Sequence, residues 1–265
     1  MKHVVITGGS KGIGKALALE FLKSGCSVCI TGRQASSLDN TVGILVHESG
    51  SKDLAGFVCD VTRLEDIRNL WNFASAIRPV DIWINNAGIS HMQQPFPELD
   101  EVLISSVLDT NITGTVMGTR IAVKGMLKQG GGYVYNMEGF GSKGRTMNGM
   151  SIYGTSKNAI TYFTRAIISE FRDYPVNIGS ISPGMVVTDM LLEPLRLEPE
   201  KYRNALKVFH TLADPVERIS PWIVRKILDN NKHGVRIAWL TSRKIAFRFL
   251  MSMFKKRNVK GLPGL

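Results

Sequence analysis

Cysteine is scarce in this chain. Cys26, Cys29 and Cys59 are an odd number with no zinc-type spacing, which excludes a disulfide framework and predicts reduced, buried thiols. The five histidines (His3, His47, His91, His210, His233) form no HxxxH pair, so no metal site is expected. No stretch reaches the ~18 uninterrupted apolar residues of a membrane-spanning helix. A secretory leader pattern is also missing, because Met1-Lys2-His3 runs straight into Val4-Val5-Ile6; the expected location is cytoplasmic. Acidic residues vanish after Asp229, whereas nine lysines and arginines follow it. Those nine make up most of the net charge of +11 and leave the rest of the chain near +2. Anionic surfaces are therefore targets for the tail. Basic residues are not interleaved with aromatics in the manner of a nucleic-acid motif, so no nucleic-acid partner is expected.

What is present is ordinary globular material: 265 residues, 44% hydrophobic and 21% charged. Strand-like apolar runs are expected at 3–7, 28–31, 56–59, 81–85, 133–137 and 176–182, with a seventh at 236–241. Helical periodicity is expected at 12–24, 64–76, 100–128 and 151–171. Strands alternating with helices predict an α/β fold, one doubly wound, Rossmann-type domain over 1–241 with a parallel sheet of about seven strands. Its ligand crevice then lies at the carboxyl ends of the strands.

The first strand runs into Thr7-Gly8-Gly9-Ser10-Lys11-Gly12-Ile13-Gly14, which opens the first helix. Glycines let a backbone approach a pyrophosphate, and the helix N-terminus supplies free N–H groups and a positive dipole end. Gly8, Ser10, Lys11, Gly12, Ile13 and Gly14 are the candidate phosphate-binding residues. After the second strand, where an NAD site usually has a carboxylate, the chain reads Thr31-Gly32-Arg33. A guanidinium there, seconded by Lys11, suits a 2′-phosphate, so the expected cofactor is NADP(H).

These residues belong to a longer series: Asp60-Val61 after strand three, Asn85-Asn86-Ala87-Gly88 after strand four, Asn111 in the long helix, Tyr153-Gly-Thr-Ser-Lys157, and Pro183-Gly184 with Thr188 beyond. In this order they resemble the short-chain dehydrogenase/reductase superfamily over residues 3 to about 190. The resemblance implies that Asp60 and Val61 meet the adenine, that Asn86, Ala87 and Gly88 line the ribose, and that Pro183, Gly184 and Thr188 hold the nicotinamide end. It implies that Asn111 anchors a proton-relay water and that Lys157 binds the ribose hydroxyls. Residue chemistry agrees. Tyr153 and Lys157, four apart, share one helix face. A nearby ammonium lowers a phenol's pKa, and a tuned phenol can protonate a carbonyl oxygen as hydride reaches the carbon.

One position departs from the family. A serine normally stands after strand five, about 13 residues before the tyrosine. This chain has Asn136-Met137-Glu138-Gly139-Phe140-Gly141-Ser142. Glu138 is expected in the serine-like place, where it would donate a hydrogen bond only when protonated. Ser142 taking that role, or Glu138 recognising substrate, are the other readings. The same segment resembles the chlorophyll b reductase-like branch, whose members reduce a formyl group on a tetrapyrrole.

Residues 185–220, rich in Met, Leu and Val, are expected to form a substrate lid suited to a lipophilic or bulky molecule. Residues 242–265 form a basic tail, in which Ala246, Phe249, Leu250 and Met253 make an apolar stripe flanked by Arg243, Lys244, Arg248, Lys255 and Lys256. Such a helix lies on a membrane or packs on protein, and the pattern leaves both open. The combined expectation is an NADP(H)-dependent oxidoreductase that interconverts a carbonyl and an alcohol, forms a homodimer or homotetramer through its long helices, and stays cytoplasmic or membrane-peripheral. The alternatives are a formyl reductase acting on a tetrapyrrole and an NADPH-binding sensor or scaffold without turnover.

Overall fold

The first strand, β1 (His3–Ile6), is buried at every residue and leads into α1 (Gly12–Lys23). There follow β2 (Ser27–Gly32), α2 (Ala35–Ser49), β3 (Leu54–Val58), α3 (Leu64–Ile77) and β4 (Ile82–Asn85). Next come α4 (Glu101–Leu108), a π-helical turn (Asp109–Thr113), α5 (Gly114–Gln129), β5 (Gly132–Met137), α6 (Ser151–Glu170) and β6 (Val176–Ser182). The last third contains β7 (Val186–Val187), α7 (Asp189–Leu197), α8 (Pro199–Leu212), β8 (Asp214–Pro215), α9 (Val216–Leu228), β9 (Arg236–Ala238) and α10 (Ser242–Ser252). This computed structural model describes residues 1–254 and 257–263. Among them, no helix is long and apolar enough to cross a membrane.

Seven strands form one parallel sheet in the order β3-β2-β1-β4-β5-β6-β9, and β7 pairs with β8 in a small separate sheet. This is the expected α/β Rossmann-type fold. Strand alternation gives the sheet two apolar faces. Val4, Ile6, Ile82 and Ile84 join Leu17, Phe21, Leu38, Ile219, Ile223 and Ile227 from α1, α2 and α9. On the other face, Val5 and Trp83 meet Ile67, Leu70, Ile121, Met126 and Ile167 from α3, α5 and α6. All three cysteines are buried and unpaired, as expected.

The strand order reverses between β1 and β4, and the glycine loop and the Asn-Asn-Ala-Gly turn flank that crevice. The helix expected over 100–128 is divided. The π-helical turn separates α4 from α5 and holds Asn111 at zero exposure. Four helices, α2, α7, α8 and α9, fall where no helix is expected. α2 buries only Leu38, Thr41 and Leu45 of fifteen residues, and α9 carries Pro221 in its first turns.

Candidate active site

The glycine loop takes its shape from close approaches. Gly8 (φ +64°) lies so near the β4 turn that a Cβ would fall 2.8 Å from the Ala87 Cα. A Cβ on Gly14 would collide with the Gly8 carbonyl oxygen. Asn86 braces the loop: its Nδ2 donates to the Thr7 and Gly8 carbonyls at 2.9 and 3.0 Å. The Asn86 amide thus supports the cradle from behind. Gly12 (φ +56°) opens α1 and faces Thr188, whose Cγ2 would be 3.7 Å from an added Cβ. Lys11 faces α7 across a groove lined by Asp189, Glu193 and Arg196. Thr188 follows β7 and starts α7, so the segment leading into α7 meets the glycine loop at the first turn of α1. Val61 packs behind Gly114 while the Asp60 Oδ1 accepts from Thr62 N–H and Oγ1, which fixes that turn.

At the end of β2, Arg33 is exposed and precedes α2. Thr31 Oγ1 accepts from Gly8 N–H at 3.2 Å, and Ser10 Oγ lies 3.1 Å from where a Gly32 Cβ would be. Ser10, Arg33 and the α2 N-terminus therefore share one corner of the crevice, where a nicotinamide cofactor's adenosine end would fit. The residues suit such a group: a side chain at Gly88 would stand 3.4 Å from Lys157 Nζ and close the approach to that ammonium.

Tyr153 and Lys157 project from one side of α6 across the ends of β4 and β5. Lys157 Nζ is 5.9 Å from the Tyr153 ring centre and is buried, donating weakly to Met137 O at 3.5 Å. Burial pushes the Tyr153 phenol up to about 12 and the Lys157 ammonium down to about 8. The expected lowering of the phenol is overturned, because loss of hydration dominates. At neutral pH the pair is a phenol beside an ammonium. Asn111 is tied down by Ile89 N–H (2.9 Å), Ile89 O (2.9 Å) and Ser156 Oγ (2.9 Å), which pins the β4 turn to α6. Its Oδ1 lies 3.2 Å from a Cβ added at Gly88.

Neither residue expected in the serine-like place stands there. The Glu138 carboxylate receives Arg236 Nε at 2.8 and 3.0 Å, Arg236 Nη2 at 2.5 Å and Ser180 Oγ at 2.8 Å. Burial alone would raise the Glu138 carboxyl, but hydrogen bonds from Arg236 and Ser180, together with the Arg236 charge, hold it below its ordinary value. It is an ionised acceptor turned toward β6 and β9. Ser142 Oγ accepts from Gly139 N–H at 3.0 Å and donates to Lys157 O at 3.2 Å, which closes the turn after β5. The position aimed at the tyrosine is Gly139: a Cβ there would fall 2.7 Å from Tyr153 Oη and 3.1 Å from Lys157 Cγ. Glycine at this position lets the chain after β5 pass close against the Tyr153 hydroxyl and the Lys157 stem.

A residue that sequence reasoning missed is His91, buried in the loop after β4. Its Nδ1 lies 2.8 Å from Met92 O, which makes Nδ1 the protonated nitrogen, and Nε2 accepts from Tyr153 N–H at 3.3 Å. α6 has no capping side chain of its own, so this distant imidazole satisfies a first-turn N–H. The missing cap ahead of Ser151 is the one signal that could have prompted a search for it.

The family model for short chain dehydrogenases matches residues 2–196. The chain is 32% identical over 272 residues to a probable chlorophyll(ide) b reductase NYC1 of Arabidopsis thaliana, covering 96% of this chain and 54% of that protein. It is 35% identical over 231 residues to the chlorophyll(ide) b reductase NOL of Oryza sativa subsp. japonica, covering 85% and 66%. This chain thus spans between about half and two thirds of the length of these relatives. Levodione reductase has the same fold, with a TM-score of 0.82 at 23% identity, covering 92% of this chain and 98% of that one. With the family model matched over residues 2–196 and these two relatives aligned over most of the chain, this protein belongs to the short-chain dehydrogenase/reductase family of oxidoreductases and resembles its chlorophyll b reductase-like branch.

Proposed function

We propose that this protein is an NADPH-dependent reductase of aldehydes or ketones whose carbonyl is carried on a bulky, lipophilic molecule. The observation that carries the bulky, lipophilic reading is α7 beside the glycine loop, where Met190 and Leu197 are exposed and Leu197 lines the groove that Lys11 faces. Arg33 after β2 and Ser10 in the glycine loop beside it, neither of them a carboxylate, support NADPH over NADH. When bound, the cofactor supplies a hydride to the carbonyl carbon. Tyr153 gives its phenolic proton to the carbonyl oxygen, so an alcohol and the oxidised nicotinamide result. A phenol pushed up to about 12 is protonated at neutral pH and so has a proton to give in reduction. Lys157, still an ammonium at pH 7, stabilises the phenolate left behind and binds ribose hydroxyls. Asn111 holds Ile89 and Ser156 in place and supports reprotonation of the tyrosine. Glu138 and Ser142 act through the backbone they fix, and His91 positions the first turn of the Tyr153 helix. Subunits pair through the outer helices, where Val102 and Tyr162 are exposed.

A second, narrower reading is reduction of a formyl group on a tetrapyrrole, favoured by the likeness to the two chlorophyll(ide) b reductases. NADPH consumption with lipophilic aldehydes, ketones and a formyl tetrapyrrole, in mild detergent, tests both. Turnover that falls at least ~100-fold in Tyr153→Phe is expected. NADPH binding without turnover on any carbonyl would overturn the reductase reading in favour of a sensor, and turnover confined to the tetrapyrrole would select the narrower one.

A further inference from the structure

An amphipathic helix resting on a protein body normally buries its apolar stripe and exposes its charges. α10 does the opposite. Phe247 is 61% exposed, Leu250 55% and Phe254, just past the helix end, 77%; Phe249, Met251 and Met253 are exposed beside them. The side chain it turns inward is Arg248, whose guanidinium donates to Asp214 Oδ2 at 2.6 Å and to Leu212 O at 2.9 Å. Asp214 is fully buried and also receives Trp239 Nε1 at 2.7 Å and Arg257 Nη2 at 2.8 Å. Lys244 Nζ rests 3.3 Å from the Trp239 ring centre. Beyond the helix, Val259 N–H donates to His210 Nδ1 at 3.1 Å, and His210 Nε2 meets Pro263 O at 2.8 Å. Polar contacts therefore fasten both ends of the tail and fix α10 with its apolar side outward. The stripe expected at Ala246, Phe249, Leu250 and Met253 exists, but it does not pack on the body.

Charge identifies what covers that face. Of the nine cations after Asp229, Arg236 is occupied by Glu138, and Arg248 and Arg257 by Asp214. Lys232 precedes β9, at the amino edge of the sheet. Arg243, Lys244, Lys255, Lys256 and Lys260 remain with the tail, and no acidic residue follows Asp229. Lys255 and Lys256, part of the expected helix, lie outside the described residues and count here only as charge. Two copies meeting through this face would bring together two tails of one sign. A nucleic acid would leave six large apolar side chains uncovered. A bilayer containing anionic lipid satisfies both features.

We propose that α10 is a docking surface for an anionic lipid bilayer: Phe247, Leu250 and Phe254 enter the acyl boundary while the tail's cations meet the headgroups. Because α10 follows β9, it starts at the carboxyl edge of the sheet, the edge that carries Tyr153 and the glycine loop. Docking through α10 brings the mouth of the site to the membrane, where a lipophilic carbonyl compound partitions. The docking itself does not rest on the reductase reading; only the delivery of substrate does.

The test is flotation of the full chain with phosphatidylcholine vesicles, with and without phosphatidylglycerol, beside the triple variant Phe247→Ser/Leu250→Ser/Phe254→Ser. All three positions are exposed, and unchanged melting and NADPH binding confirm that the variant is folded. Binding to the anionic vesicles about tenfold or more above the neutral ones, weakened by salt and about tenfold lower in the variant, is expected. Absence of binding to anionic vesicles, or equal binding by the variant, would overturn the proposal. So would a concentration-dependent dimer lost in the variant without vesicle binding, which would assign the face to a second copy. Vesicle binding without carbonyl turnover would sink the reductase reading and leave the docking intact.

Discussion

Replacing Glu138 by serine removes the carboxylate and isolates what it does. Glu138 is 4% exposed and carries three bonds from Arg236 and one from Ser180, so its removal strands a guanidinium between β6 and β9. Breaking a fully buried pair from one side costs about 3–5 kcal/mol. The Arg236 side chain is 34% exposed, and water recovers part of that, so the expected loss is about 2–3 kcal/mol. For a chain of this size that corresponds to a melting temperature lower by roughly 5–10 °C. The carboxylate points away from Tyr153, so the folded variant is expected to turn over within ~3-fold of wild type, against the ~100-fold or greater loss for an acid–base residue. The pH dependence has a definite sign. Because the folded carboxyl lies below its ordinary value, the pair contributes fully above about pH 5 and its contribution fades as pH falls through the folded pKa. Wild type therefore loses its advantage over Glu138→Ser on acidification. Thermal melts at pH 7 and pH 4, with turnover at a permissive temperature, check both parts. A variant as stable as wild type but catalytically dead would refute the reasoning.

Three further perturbations bear on the rest of the account. Arg33→Glu is expected to raise the Kd for NADPH by about 10–100-fold, the worth of one charge-assisted hydrogen bond, while leaving NADH binding unchanged or improved; fluorescence titration of the two cofactors measures it, and parallel changes in both would contradict the assignment of Arg33 to the 2′-phosphate. With Lys157 at about 8 and Tyr153 at about 12, carbonyl reduction is expected to fall above pH 8 through a single ionisation; a rate flat to pH 10 would deny Lys157 that role. Asp214→Asn removes the anchor of Arg248 and Arg257, so trypsin is expected to cut the tail about tenfold faster before the body unfolds, and unchanged cleavage would mean that the tail is held by other contacts.

The glycine loop and the Tyr153/Lys157 pair were legible because each lies within a single local element, where sequence spacing equals spatial spacing. Glu138 was misplaced for the opposite reason. In a strand a shift of one residue reverses the side chain, so Glu138 and Gly139 face different sides, and the longer segment before Tyr153 hides which of them meets the phenol. Its partner, Arg236, is 98 residues away and had been counted as tail charge. α10 shows the limit of periodicity. Its stripe could be read from spacing, but its orientation depends on Asp214, a lone carboxylate 34 residues upstream of Arg248. α2 and α9 were missed because polar residues and an early proline obscure their few buried positions. His91 itself carries no local signal, and only the missing cap ahead of Ser151 points to it, since its bond to the Tyr153 amide exists only after folding.

The central claim is hydride transfer from NADPH to a carbonyl with Tyr153 as proton donor. The most direct measurement uses NADPH carrying deuterium at the transferable C4 position and mass analysis of the product. Wild type is expected to yield an alcohol bearing one deuterium on the former carbonyl carbon, with one NADPH oxidised per alcohol formed and none in Tyr153→Phe. Alcohol without the label, or labelled alcohol formed equally well by Tyr153→Phe, would contradict the account.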